Sequence, residues 1–228
     1  THAENNWQLT AEELDIICRD DPSRPRILIL NYPSNPTGCT YTDDQLLAIA
    51  NVARKYRLIL LSDEIYGEVH FEGRHKSIAR YYPEGTIIST GLSKWAGAGG
   101  WRLGTFIFPR ELRPLQDAMA IIASETYTAT SAPIQHAAIA AFNGGDDIDE
   151  YLKQSRRVLK VVGEYMHRRL SDMGAVVQKP EGAFYLFPDF SGFREQLALP
   201  SCRPAILASC RIIWRRAWPS STSTAPNR

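Results

Sequence analysis

The sequence predicts an α/β protein: a mostly parallel sheet sandwiched by helices, followed by the start of a small α+β unit. Three observations lead there. Short, continuous apolar runs at residues 26–30, 58–61, 86–90 and 103–108 have the length and apolar density of buried strands. Helix-period patterns with short links separate the first of these, which is the grammar of strand–helix–strand crossovers. After Gly174 the chain changes to short strand-like pieces at 175–178 and 182–187, with the long helical pattern of 148–173 as the connection.

The elements follow in order. Residues 8–18 read as a helix because Thr10 and Glu13 form a capping box. Residues 20–25 are a polar, proline-containing turn. The run 26–30 reads as a strand buried on both faces. It ends in the rigid turn Asn31-Tyr32-Pro33-Ser34-Asn35-Pro36-Thr37-Gly38, where Asn35-Pro36 is a candidate cis peptide. Thr42 caps a helix over 42–56 whose buried stripe is Leu46, Leu47, Ile49, Ala50 and Ala53. The strand at 58–61 runs into Ser62-Asp63-Glu64-Ile65-Tyr66. Further helices are expected over 111–125, 132–142 and 148–173. The last carries Arg156, Arg157, Lys160, Arg168 and Arg169 on what reads as a solvated face.

Composition narrows the function classes. With 228 residues the chain holds one large domain, or one domain and part of another. A net charge of +1 supplies no electrostatic argument for nucleic acid or a membrane surface, and no apolar stretch reaches the length of a bilayer span. Cys18, Cys39, Cys202 and Cys210 have neither metal spacing nor a disulfide framework, so the expected setting is reducing and cytoplasmic. The first residues, Thr1 to Asn6, read as a cut into a longer chain. After Glu195 there is no Asp, Glu or Lys. The segment 196–228 therefore reads as an atypical, frameshifted or mis-predicted ending.

Three sites stand at strand ends: Asn35, the pair Asp63 and Tyr66, and the loop of Ser93, Lys94 and, eight residues on, Arg102. In an open parallel sheet, ligands bind beyond the carboxyl ends of the strands, so the three should share one crevice. A lysine, a carboxylate, a phenol, an amide and an arginine together suit an aldehyde cofactor with a protonatable ring nitrogen, a ring hydroxyl and a phosphate. Pyridoxal 5'-phosphate is such a group.

Asn35-Pro36-Thr37-Gly38, Asp63-Glu64-Ile65-Tyr66, Ser93-Lys94 and Gly100-Trp101-Arg102-Leu103-Gly104 resemble the class I/II aminotransferases of pyridoxal-phosphate fold type I, the aspartate aminotransferase superfamily. The resemblance runs from about Asn5 to Phe190. It implies a partial large cofactor-binding domain over 1–145, a connecting helix with a partial small domain over 146–195, and the atypical tail over 196–228. It also implies that Lys94 holds the cofactor as a Schiff base and later shuttles the proton of the substrate α-carbon. Asp63 would keep the ring nitrogen protonated, Tyr66 and Asn35 would donate to the ring oxygen, and Arg102 would grip the phosphate. The substrates would be an amino acid and a 2-oxo acid, and the full-length protein a homodimer.

Other residues are assigned to the framework. Gly38, Gly99 and Gly100 serve the backbone, Trp95 and Trp101 are packing residues, and His70, His75 and His136 are structural. Many relatives carry Ser or Thr three residues before the lysine, where this chain has Gly91, so that Thr90 or Ser93 would substitute or the contact would be absent. The phosphate cradle, a ring stacked on the cofactor and a tyrosine from across the dimer would lie upstream of Thr1. Arg211 resembles the setting of an arginine that binds the substrate carboxylate, although the residues before it match nothing. Two alternatives stay open at this point: a β-lyase or decarboxylase of the same fold, and a fragment that is not an enzyme on its own.

Overall fold

The computed structural model describes residues 5–21 and 26–193. The segment 196–228, with Arg211, Cys202 and Cys210, lies outside the described residues. So do 22–25 of the predicted turn.

The first two helices start where their caps predict. In α1 (Ala11–Asp20) the Glu13 amide donates to Thr10 Oγ1 at 3.2 Å, and the Thr10 amide donates to the Glu13 carboxylate at 3.1 Å. In α2 (Asp43–Lys55) Thr42 and Gln45 close the same reciprocal box. Each such cap contributes about 1 kcal/mol by satisfying amides that the helix itself cannot.

Four strands form one sheet in the order β1 (Ile27–Asn31), β2 (Ile59–Asp63), β3 (Thr86–Gly91), β4 (Gly104–Ile107). The first three are parallel, as the crossovers require, and β4 returns antiparallel to β3. That reversal follows from the 92–103 connection, which is a loop with no crossover helix. The β3–β4 approach is tight at its open end. A Cβ on Gly91 would lie 2.6 Å from the Leu103 carbonyl oxygen. A hydroxyl side chain at 91 therefore has no room in this arrangement, and Gly91 itself offers no side-chain contact to a ligand.

Helices α1 and α2 cover one face of the sheet. Leu14, Cys18, Leu46, Ile49, Ala50 and Ala53 pack on Leu30, Leu58 and Leu60 to make the first core. The stripe of α2 is as predicted except for Leu47, which faces solvent. β1 is not buried on both faces, contrary to its apolar run. Leu30 is buried, but Ile27 and Ile29 are 64% and 63% exposed. β1 is an edge strand, and the described helices reach only its Leu28 and Leu30 side.

A second core lies beyond the strand ends. Tyr66, Val69, Leu92, Trp95 and Leu103 meet Ala138 of α4 (Ala132–Asn143), Leu152 of α5 (Asp146–Asp172) and Ala183. Helix α3 (Arg113–Thr126) precedes them. Trp95 is buried as a packing residue, whereas Trp101 is half-exposed and packs into neither core. The basic stripe of α5 is more than a solvated face. Arg156 bonds the Glu68 carbonyl at 2.7 Å and its carboxylate at 2.9 Å, and Lys160 pairs with Glu72, so two of its cations dock the helix on the 67–73 turn. Among the described residues no helix is long and apolar enough to cross a membrane.

The pieces at 175–178 and 182–187 do not form strands. They make two isolated bridges, Val176 with Asp189 and Gly182 with His70. No neighbouring strand extends either ladder among the described residues. Residues 181–183 are instead stapled to two loops. The Glu181 and Gly182 amides donate to the Gly38 carbonyl, and the Ala183 amide donates to the Val69 carbonyl. Gly38 sits at φ +72°, and a Cβ there would lie 2.9 Å from the Tyr185 carbonyl oxygen, so its role is in the backbone as expected. A Cβ on Gly182 would fall 2.6 Å from Pro33 Cγ and 3.1 Å from His70 Cα. Gly182→Ala is therefore expected to cost about 1–3 kcal/mol through forced separation of this staple. A urea midpoint equal to that of the unmodified chain would show that the staple is loose.

Candidate active site at the carboxyl ends of the strands

Parallel register sets the first layer of the site. Asn31, Asp63 and Ser89 are paired neighbours at the same end of the sheet. Asn31 ties two of the predicted residues together. Its amide nitrogen donates to Asp63 Oδ2 at 3.1 Å, and its Oδ1 accepts the Asn35 backbone N–H at 2.7 Å. The turn that carries Asn35 contains two cis peptides, Tyr32-Pro33 and the anticipated Asn35-Pro36.

Asp63 is half-buried. Burial pushes its carboxyl above the ordinary range and the neighbouring Glu64 adds to this, while the Ile65 amide, Asn31 and the charge of Lys94 act in the other direction. A carboxylate in this position lacks part of its hydration and favours a cationic partner. Tyr66, three residues on, is buried at the start of the 67–69 turn, with Asn35 near enough to its hydroxyl to favour the ionised form. Burial first, then Tyr185, pushes the Tyr66 phenol well above its ordinary value.

Lys94 comes from the loop after β3. Its ammonium lies 5.5 Å from the centre of the Tyr66 ring and 5.8 Å from that of Phe184. It feels Asp63 electrostatically and forms no ion pair with it. Lys94, Asp63, Tyr66 and Asn35 are thus brought together as the sequence suggests. Ser93 is half-buried beside Lys94, and its carbonyl lies against Gly99. Arg102 stands further out along the same loop. It adopts the left-handed conformation, φ 56°, and bonds the Gly99 carbonyl through Nη1 at 2.6 Å. A left-handed conformation costs a non-glycine residue about 1 kcal/mol or more, so the loop holds this side chain against a local preference.

These residues fit the cofactor's ring and aldehyde. An amine without a carboxylate contact, a half-buried carboxylate and an amide–phenol pair stand together, and they are the donor and acceptor set that such a group requires. Three participants have no obvious signal in the chain. Asn31 is visible only as the residue four before Asn35. Phe184 and Tyr185 come from a distant segment, and Tyr185 places its hydroxyl 2.6 Å from that of Tyr66.

Beneath the site lies a polar pair. Glu64 accepts hydrogen bonds from His75 at 2.9 Å and from Ser62 at 2.8 Å. His75 packs against the Tyr32 ring at 5.2 Å, and Tyr32 in turn accepts the Ile78 amide at 2.7 Å. His75 is structural, as expected, with Glu64 as its partner. Its other nitrogen, Nδ1, is buried with no hydrogen bond. That leaves Nε2 as the donor, because an unsatisfied lone pair is less costly than an unsatisfied N–H.

Comparison with known proteins gives a consistent picture. Residues 1–212 match the family described as aminotransferase class I and II. The chain is 37% identical over 171 residues to the probable N-acetyl-LL-diaminopimelate aminotransferase of Bacillus subtilis, covering 74% of this chain and 41% of the relative. It is 36% identical over 194 residues to the aspartate aminotransferase of Bacillus sp. (strain YM-2), covering 83% and 47%. The solved aspartate aminotransferase of Thermus thermophilus with maleate superposes with a TM-score of 0.77 at 30% identity, over 85% of this chain and 49% of that one. The chain thus spans about half the length of the relatives it matches.

The Glu64 carboxyl would be raised by burial alone, but the hydrogen bonds from His75 and Ser62, with Ser77 nearby, outweigh this and hold it below its ordinary value of 4.5. The stabilisation from a depressed carboxyl is complete above that value and is lost as the pH falls through the lower folded value. Urea midpoints measured between about pH 6 and pH 3 should fall for the unmodified chain and fall less steeply for Glu64→Gln. At neutral pH, His75→Ala should cost about 2 kcal/mol, the range of a hydrogen bond to a charged group. Parallel pH profiles for the two proteins would remove Glu64 from this role.

Proposed function

The chain belongs to the aminotransferase class I and II family, and on that premise we propose that it carries the cofactor half-site of a pyridoxal-phosphate-dependent aminotransferase. The reaction would move an amino group between an L-amino acid and a 2-oxo acid. One observation carries this reading. Lys94, Asp63, Tyr66 and Asn35, from three separate strand ends, converge where a parallel sheet binds its ligands.

When bound, the cofactor supplies an aldehyde that condenses with amines and a cationic ring that accepts an electron pair. The chain's residues supply the rest. Lys94 Nζ would hold the aldehyde and, when its amine is free, would take up the proton of the amino acid's α-carbon. Its position over two ring faces, with no carboxylate contact, keeps it free for both tasks. Asp63 would hold the proton on the ring nitrogen, and a cationic ring is the partner that its burial calls for. Tyr66 and Asn35 would present O–H and N–H donors to the ring oxygen. Arg102 offers a planar fork to the phosphate, with Ser93 beside it.

In this reading the full-length protein works in the cytoplasm as a homodimer in amino-acid metabolism, in a biosynthetic role. The free, buried thiols of Cys18 and Cys39 suit a reducing compartment. Exposed Ile121 and Ile122 on α3, and Val161, Val162 and Tyr165 on α5, are apolar positions that an assembly would cover.

Borohydride treatment of the chain with pyridoxal phosphate should attach the cofactor to Lys94, read by peptide mass, and Lys94→Ala should lose that label. Labelling of other lysines at equal yield would sink the assignment. Asp63→Asn should keep the label but slow the amino-acid-driven change in cofactor absorbance about 100-fold or more, the range of losing a preorganised charge in a site. An unchanged rate would remove Asp63 from the reaction.

A further inference from the structure

The Tyr66 hydroxyl has one proton, and its oxygen lies 2.6 Å from the Tyr185 hydroxyl, where either oxygen can be the donor. To serve the ring oxygen of a bound cofactor, Tyr66 has to turn that same proton toward the ligand. Its own oxygen then faces Tyr185 with a free lone pair, and Tyr185 still has a proton to give.

We propose that Tyr185 is a positioning residue for Tyr66: when Tyr66 turns its proton to a phenolate oxygen of the ligand, Tyr185 donates its own proton to the Tyr66 oxygen. This rests on the reading of the site given above.

The backbone around Tyr185 is built to hold that distance. Its carbonyl lies where only a glycine at 38 fits, and Gly38 is bonded to the Glu181 and Gly182 amides. Ala183 is fully buried at φ 57°, and its amide is tied to Val69, three residues after Tyr66. The Tyr185 ring meets the Tyr66 ring edge-on, at 5.5 Å and 83°, so the hydroxyls stay in register while either can rotate its proton. A donor that itself receives a hydrogen bond is polarised and donates more strongly. Tyr185 would thereby tune the ring oxygen from a segment more than a hundred residues away from Tyr66, without touching the cofactor.

A double-mutant cycle on the full 228-residue chain tests this, with pyridoxal phosphate affinity read by absorbance titration. Tyr185→Phe, which keeps the ring contacts, should weaken binding about 3- to 10-fold, the range of one net hydrogen bond. Tyr66→Phe should weaken it at least as much, and adding Tyr185→Phe to that variant should change nothing further. Additive losses would show that Tyr185 acts only on the packing and would overturn the proposal. Tighter binding by Tyr185→Phe would overturn it too, by showing that Tyr185 only withholds the Tyr66 proton. An unmodified chain that takes up no pyridoxal phosphate and yields no borohydride label on Lys94 would instead overturn the underlying reading, and the proposal with it.

Discussion

Parallel register is the constraint on which the site depends. Because β1, β2 and β3 run the same way, Asn31, Asp63 and Ser89 end at one edge, and the loops that follow all leave from that edge. An antiparallel arrangement of the same strands would have sent one of Asn35, Tyr66 or Lys94 to the opposite end of the sheet. The β1–β2 crossover is the helix α2, the β2–β3 crossover runs through short 3-10 turns, and α1 and α2 do their work far from the chemistry. Their capped, apolar faces bury Leu30 and Leu60 and so hold the strands that carry the reactive side chains.

The strand ends then impose an electrostatic problem. Asp63 and Glu64 are adjacent carboxylates, both partly buried, and each raises the cost of ionising the other. The chain solves them differently. Glu64 points under the site, where hydrogen bonds from His75 and Ser62 hold its charge. Asp63 is left with one amide, one asparagine and a distant lysine, so its carboxyl stays raised. A satisfied carboxylate beneath and an under-satisfied one above is the asymmetry that a cationic ligand would exploit.

The segment 181–185 closes the upper side by a different principle. It has no ladder to join, so its amides are satisfied by loop carbonyls at Gly38 and Val69. The close approach demands glycine at 38 and 182, and it delivers Phe184 and Tyr185 onto Lys94 and Tyr66. Docking of α5 through Arg156 and Lys160 onto the 67–73 turn braces the same corner. Rigid backbone and mobile hydroxyl protons are thus combined at one contact.

Much of this was legible in the chain. The capping boxes at Thr10 and Thr42, the helix periods and the strand runs are local properties, set by nearest-neighbour sterics and hydrogen bonding. The order of motifs placed Asn35, Asp63, Tyr66 and Lys94 at strand ends because parallel topology leaves few alternatives. Tertiary structure alone decided the rest. Whether Ile27 and Ile29 are covered depends on what packs over an edge strand, and an apolar run looks the same with or without a cover. Whether Arg156 is solvated or bonded depends on a turn 88 residues away, and Tyr185 finds Tyr66 across 119. Glu64 and His75 meet because the chain folds back on itself within eleven residues by two short turns, with no periodic signal to announce the pairing. Local sequence determined which elements form and which end of the sheet is reactive. Long-range packing decided which side chains share a proton there, because proton sharing requires ångström-scale proximity that no pattern of residue types specifies.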